Sequence, residues 1–285
     1  MKLVSGQILT KLYRPPANSH KGDNGRLLII AGSKKYHGSL VLCATMASKI
    51  ADLVYIHTTP ANVKLLQKIR GRLSEFIYIS KRELKATLKE VDAVLIGPGL
   101  IPNIQTKKLI SWLLKNYPQK KIVLDAGALR VLDLKQLNTN CVLTPHLGEF
   151  RSLFGNPIPA LPPAPLSKGG RRGFAVQGIQ GGLPSFLRTL SLQHPAVIIL
   201  KGHITYICQN GQIFYNTNGN AGMTKGGTGD VLAGLLAALL TKNNPLTATA
   251  AAVYVNGKAG DKLKKKFGFY YSASELIDEN RKILK

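Results

Sequence analysis

The stretch Asn218–Gly234 reads NGNAGMTKGGTGDVLAG. Glycines at 219, 222, 226, 227 and 229 lead into Asp230 and then into an apolar helical pattern. A glycine-rich turn feeding a helix N-terminus makes an anion site, because free backbone N–H groups and the positive end of the helix dipole face one point. Glycine also lets the backbone approach a phosphate closely. Asp230 falls in the first helical turn and is the only carboxylate between positions 150 and 260. A lone acid in so basic a stretch is either incidental, as a favourable acid at a helix start, or placed. The spacing is neither GxxxxGK[ST] nor GxGxxG.

Four further motifs sit where an apolar run meets a turn. VLIGPGL (94–100) ends a strand in Gly97-Pro98-Gly99, and ligands of open parallel sheets bind outside the carboxyl ends of the strands. VLTPHLGE (142–149) brings His146 and Glu149 to such an end. His146 would bind phosphate or move a proton, and Glu149 would orient phosphate oxygens or Mg²⁺-bound water. Both would also serve as plain caps. IILKGHIT (198–205) offers an ammonium, Lys201, and backbone N–H groups to a phosphate. In KGDNGRLLIIAGSKKY (21–36) and the Gly38-Ser39 pair after it, two small-residue turns flank a second anion position, with Asp23 bracing the approach. GxSxG, HExxH and CxxC are all absent from the sequence.

The elements that must hold these turns read as short β-type runs alternating with helices. Strands are expected at Arg26–Ala31, Val54–Thr58, Phe76–Ile79, Val91–Ile96, Ile122–Leu124, Cys141–Thr144 and Val197–Leu200. Helices are expected at Leu40–Ala51 and Asn103–Asn116. That alternation predicts βαβ units and a mostly parallel sheet covered on both faces. Gln209-Asn210-Gly211 between Thr205–Cys208 and Gln212–Tyr215 predicts a late antiparallel hairpin. Helices follow from Gly229 to about Thr241, from about Leu246 to Lys266, and over Ser272–Leu284, the last opened by a Ser272/Glu275 capping box. The segment 156–182 (NPIPALPPAPLSKGGRRGFAVQGIQGG) is rich in Pro and Gly, has no period, and reads as a loop or insertion.

Composition narrows the classes. The chain has 285 residues, 45% hydrophobic, enough for a sizeable core. Its longest purely apolar or glycine run, Val231–Leu240, spans ten residues, where a bilayer needs about 20. The first residues hold no apolar stretch of signal-peptide length. Three separated cysteines, Cys43, Cys141 and Cys208, form no zinc or redox spacing. A reduced, cytoplasmic protein without membrane association or structural metal is expected. Thirty-nine Lys and Arg against fourteen Asp and Glu give +25, a field that attracts polyanions. The lysines are scattered. Only KLKKK (262–266) is a tight run, and it reads as the solvated end of a helix.

Taken in order, HKGDNGRLLIIAGSKKYHGS (20–39), VLIGPGL (94–100), VLDAGAL (123–129), VLTPHLGEF (142–150), LKGHIT (200–205) and NGNAGMTKGGTGDVLAG (218–234) resemble the ADP/ATP-dependent NAD(P)H-hydrate dehydratase family of the ribokinase-like superfamily. The resemblance spans most of the chain outside 156–182, and the last motif is the most specific. It implies a single α/β domain over 1–285: a ribokinase-like three-layer αβα architecture with a mostly parallel central sheet. It implies metabolite repair, the nucleotide-dependent dehydration of the S epimer of hydrated NADH or NADPH. The ring hydroxyl is phosphorylated, and phosphate then leaves as the double bond forms. By the match, Asp230 looks like the base, and Gly227, Thr228 and Gly229 like the hole for the migrating phosphoryl group. Ser39, Gly99, His146 and Asp230 would contact the hydrated dinucleotide. Lys201, Gly202, His203, Ile204, Thr205 and Gly229 would contact ADP or ATP. Glu149 stands where such enzymes keep an acid near Mg²⁺. A homo-oligomer is implied as well, and any epimerase activity would belong to a separate protein.

Two departures stand out. Ser39 replaces the usual alanine after Gly38, a change of one small residue for another. The segment from Asn156 replaces a usual helical stretch and is expected to be exposed and dispensable. Two other functions fit part of the pattern. A small-molecule kinase of the same superfamily, acting on a hydroxymethylpyrimidine, thiazole or sugar, would share the glycine turn and Asp230, but more often carries Asn where His146 stands. A basic nucleic-acid-binding protein would account for the charge, but the sequence has no nucleic-acid motif and only Tyr270-Tyr271 beside Lys264–Lys266 as an aromatic–basic patch.

Overall fold

The computed structural model describes residues 1–69, 71, 74–155 and 182–284. The expectation for the Pro/Gly-rich segment lies outside the described residues for 156–181. In chain order the elements are β1 (Lys2–Leu3), β2 (Arg26–Ile30), α1 (His37–Ala47), β3 (Leu53–His57), α2 (Pro60–Ile69), β4 (Ile77–Tyr78), α3 (Leu84–Glu90), β5 (Ala93–Ile96) and α4 (Ile104–Asn116). Then come β6 (Lys121–Leu124), β7 (Cys141–Leu143), α5 (Leu147–Phe154), α6 (Gly182–Gln193), β8 (Val197–Leu200), β9 (Thr205–Gln209), β10 (Gln212–Asn216), α7 (Thr228–Lys242), α8 (Pro245–Phe267) and α9 (Ala273–Ile283).

The strands form one sheet in the order β1-β10-β9-β8-β7-β6-β5-β2-β3-β4. Among the described strands only β9 runs against the rest, antiparallel to both β8 and β10. The hairpin turns on Asn210 (φ 49°) and Gly211 (φ 74°), the two left-handed positions that an Asn-Gly turn supplies.

Side chains alternate across each strand, and the alternation divides the core. Leu27, Ile29, Leu95, Val123 and Val142 face α1, α7, α8 and α9. Leu28, Ile30, Val94, Ile96 and Leu124 face α3 and α4. Ile198 and Leu200 pack on α5 and α6. Helices thus cover both faces, as a buried parallel sheet requires. Helix α7 is buried all round from Val231 to Thr241. Its apolar run is core rather than a membrane span. No helix among the described residues is long and apolar enough to cross a membrane.

Several boundaries differ from the periodicity. Helix α1 begins at His37 rather than Leu40 and ends at Ala47 rather than Ala51. Strand β4 keeps only Ile77–Tyr78, both exposed at the sheet edge. Strand β1 and helices α2, α3, α5 and α6 are further elements that the expectations above do not include. The Ser272/Glu275 capping box is formed, Asp23 accepts from the His20 N–H at 2.7 Å, and the 264–266 lysines are exposed in the last turn of α8.

Candidate active site

The carboxyl ends of neighbouring strands deliver most of the singled-out residues to one region. Gly97 follows β5, Asp125 follows β6, Thr144 follows β7 and Lys201 follows β8. These ends are tied together laterally: Lys201 N donates to Pro145 O at 2.9 Å, Asp125 N to Ile96 O at 3.1 Å, and Gly32 N to Pro98 O at 2.8 Å. Helix α7 enters from the other side. Its N-cap is Gly227, at φ 96°. A β-carbon there would be strained and would also press on Leu42, so this left-handed position needs glycine. With no capping side chain at Gly227, the first turn of α7 presents backbone N–H groups, of which Thr228 N makes only a long 3.4 Å contact with Lys225 O.

The loop before α7 is braced. Thr228 Oγ1 lies 2.6 Å from Met223 O and 2.9 Å from Lys225 O. The Lys225 ammonium donates to the carbonyls of Phe269 and Tyr271. Tyr271 OH donates to Asn220 Oδ1 at 2.9 Å, and Gly219 N donates to Asp261 Oδ2 at 3.2 Å.

Asp230 lies partly buried in this first turn. Ser39, from α1, hydrogen-bonds its carboxylate. Burial, and then the nearby Asp125 charge, push its pKa up to about 6, while the Ser39 bond and the Lys201 ammonium pull the other way. Cys43 donates from Sγ to Asp230 O at 3.2 Å. Burial and both carboxylates push that thiol well above its ordinary range. Gly99 (φ 68°) abuts Ser39 and the Tyr36 carbonyl. Ser39, Gly99 and Asp230 therefore line one side.

On the other side of the α7 N-terminus a cleft of about 540 Å³ opens, lined by His146, Lys201, Gly202, His203, Thr205 and Gly229, with the Asn216–Thr224 stretch and Thr228 along its rim. Ile204 is not among its lining residues. Lys201 Nζ would lie 3.7 Å from a β-carbon on Gly229, so the ammonium stands over the first turn of α7.

His146 and Glu149 are a capping box on α5. His146 Nδ1 accepts from Gly148 N at 3.0 Å and Glu149 N at 3.2 Å, and Glu149 Oε2 accepts from His146 N at 3.0 Å. With Nδ1 accepting, the neutral ring carries its proton on Nε2. Glu149 is buried, while His146 is exposed to the cleft.

With this geometry stands a family match. Residues 27–282 match the model of the NAD(P)H-hydrate dehydratase family. The chain belongs to that family. It is 33% identical to the ADP-dependent (S)-NAD(P)H-hydrate dehydratase of Nitrosopumilus maritimus, over 97% of this chain and 95% of the relative. It is 34% identical to the bifunctional NAD(P)H-hydrate repair enzyme of Methanocaldococcus jannaschii, over 99% of this chain but 52% of the relative. The chain thus spans about half the length of its bifunctional relatives. The ADP/ATP-dependent NAD(P)H-hydrate dehydratase of Bacillus subtilis, co-crystallised with ATP/Mg²⁺, superposes with a TM-score of 0.78 at 26% identity, covering 99% of this chain and 97% of that one. A ribokinase-like superfamily protein of Enterococcus faecalis superposes with a TM-score of 0.82 at 25% identity, covering 99% and 95%. The likeness to the hydroxyethylthiazole kinase of Pyrococcus horikoshii, TM-score 0.61 at 17% identity, extends to the fold alone.

Within this dehydratase fold, one participant, Asp125, carries almost no signal in the sequence. Asp125 is 3% exposed and accepts from the Thr144 hydroxyl and, at 3.2 Å, from Lys201 Nζ. Its one sequence signal is an acid closing a buried strand, VLD, before a small-residue turn.

Proposed function

We propose that this chain restores NADH and NADPH from their S hydrates at the expense of a nucleoside di- or triphosphate, with ADP the expected donor. The names of its full-length relatives support the substrate and the donor. The observation that carries the reading is Asp230: a carboxylate with its pKa pushed up to about 6, set in the uncapped first turn of α7 between the Ser39–Gly99 side and the Lys201–Gly229 cleft.

The cleft takes the nucleotide. Lys201 and the 202–205 turn meet its phosphates, with the terminal one over the N–H groups of Gly227, Thr228 and Gly229. The hydrated ring lies on the other side, against Ser39, Gly99 and Asp230, and His146 meets the dinucleotide from the cleft. Its hydroxyl attacks the terminal phosphorus and gives its proton to Asp230. The new O–P bond forms as the bond to the nucleotide's bridging oxygen breaks, leaving AMP from ADP. The ring C–O bond then breaks, its electron pair leaves with phosphate, and loss of the neighbouring C–H proton forms the double bond.

Mg²⁺ would neutralise charge on the transferred phosphoryl group. Among the described residues no three His, Cys, Asp or Glu side chains converge on a metal position. That donor set fits a cation held mainly by nucleotide phosphates, with Glu149 the nearby acid beside His146.

The test is direct. The purified chain is incubated with hydrated NADH, Mg²⁺ and either ADP or ATP, and the reduced-nicotinamide absorbance is followed. Recovery with ADP is expected. No recovery with either nucleotide from a folded sample overturns the reading.

A further inference from the structure

Asp125, Thr144 and Lys201 close three adjacent strands, β6, β7 and β8, and form one network at their ends. Asp125 is held rigidly. Its N–H is bound to Ile96 O, and Ala128 N donates back to its carbonyl at 3.0 Å. Ala126, the next residue, is left-handed at φ 47°, so the chain doubles back at this point. Asp125 therefore pairs with the Lys201 ammonium, while Asp230 lies near enough to both to feel their charges. Sequestering charges costs free energy even when they are paired, so this arrangement calls for a function beyond packing.

The function follows from what Lys201 would do alone. A lysine side chain is a long, flexible tether for a point charge. Without Asp125, the carboxylate left for its ammonium is Asp230. A Lys201–Asp230 pair would stabilise the ionised form of Asp230 and withdraw the cation from the nucleotide cleft. Asp125 prevents both by binding Lys201 at 3.2 Å. We propose that Asp125 is a positioning residue for this reaction: it holds the Lys201 ammonium over the first turn of α7, on the nucleotide side, and keeps it off Asp230 so that Asp230 stays free to accept a proton. The proposal rests on Asp230 being the base.

The groups facing Asp230 are few. They are Asp125 and Lys201 from the strand ends, and Ser39 and Cys43 from α1. Cys43 stays a neutral thiol, because burial and both carboxylates oppose its ionisation. Among the charged neighbours, Asp125 acts on Asp230 more strongly than Lys201 does.

The experiment compares pH profiles of turnover for the wild type, Asp125→Asn, the double variant Asp125→Asn/Lys201→Gln, and Asp230→Asn, with ADP binding measured by calorimetry. In Asp125→Asn the acid limb is expected to move down by about one pH unit, plateau turnover to fall about tenfold, and ADP to bind more weakly. The double variant removes both charges and so leaves no unpaired ion to unfold the site. Its acid limb is expected to lie below that of the wild type as well, because the stronger influence is gone. If Asp125→Asn does not fold, the double variant decides. A purely structural role would lower activity without moving the limb, so wild-type limbs in the folded variants overturn the proposal. If those limbs stay while Asp230→Asn is inactive, only the role of Asp125 fails. If Asp230→Asn turns over normally, Asp230 is not the base and both readings fall.

Discussion

Gly97 lies so close to Asp125 that a β-carbon on Gly97 would overlap the Asp125 carbonyl oxygen and crowd Ala128. Gly97 is also at φ 125°, outside the range of other residues. The ends of β5 and β6 are thereby locked together, and with them the carboxylate that holds Lys201. Gly97→Ala is expected to cost about 2–4 kcal/mol through strain and overlap, read as a lowered thermal midpoint. An unchanged midpoint would show that these strand ends do not interlock.

Asp230→Asn separates function from stability. The pKa of Asp230 is raised in the folded state to about 6. A raised carboxylate favours folding while protonated, at pH below its unfolded value near 4, and that contribution is lost as pH rises through 6. At pH 8 the ionised group therefore weakens the fold, by up to about 3 kcal/mol for a shift of this size. The amide should be more stable than wild type at pH 8, with the gain shrinking toward pH 4. Turnover should fall at least about a hundredfold with nucleotide binding kept. Wild-type turnover would remove Asp230 from the mechanism. A gain that does not depend on pH would contradict the raised pKa.

The contrast between Asp230 and Asp125 shows what the sequence discloses. Asp230 is legible because it follows a glycine string that has one physical use. Asp125 is not, because an acid after a strand looks the same whether it braces a turn or serves a site. Asp52 and Asp92 also stand beside strands, each just before one, and they accept backbone N–H groups from Gly22, Asn24 and Arg26. Only the side-by-side order of β6, β7 and β8 places Thr144 and Lys201 against Asp125, and strand order is not written in local periodicity. The apolar strands Arg26–Ile30 and Val197–Leu200 and the Asn210-Gly211 turn read correctly, since burial and left-handed backbone each demand particular residues. Strand β1 is two exposed residues that gain their partner from β10, more than 200 positions away. His146 and Glu149 fill the positions of a capping box, so the cap and the cleft-facing ring come from the same residues.

The three cysteines give a check on core integrity. Cys43, Cys141 and Cys208 are all buried free thiols. Burial holds Cys141 up to about 11 and Cys208 up to about 12. Thiolate, not thiol, reacts with disulfide reagents, so at pH 8 the folded protein should titrate with essentially no fast-reacting thiol and the denatured chain with three. A fast-reacting thiol in the native protein would mean that one of these sites opens.

The fate of one oxygen decides between two routes to the same product. The hydrate carries the added water as a ring hydroxyl. If that hydroxyl attacks phosphorus, its oxygen becomes a phosphate oxygen and departs in inorganic phosphate when the ring C–O bond breaks. If Asp230 merely assisted expulsion of the hydroxyl, the oxygen would depart as water, and the nucleotide would be hydrolysed separately or not at all. Hydrated NADH labelled with heavy oxygen at the ring hydroxyl is therefore expected to give one labelled phosphate per NADH recovered, detected by mass spectrometry of the released phosphate. Recovery of NADH with unlabelled phosphate would keep the substrate and discard the phosphoryl route, and with it the assignment of the first turn of α7 as the seat of phosphoryl transfer.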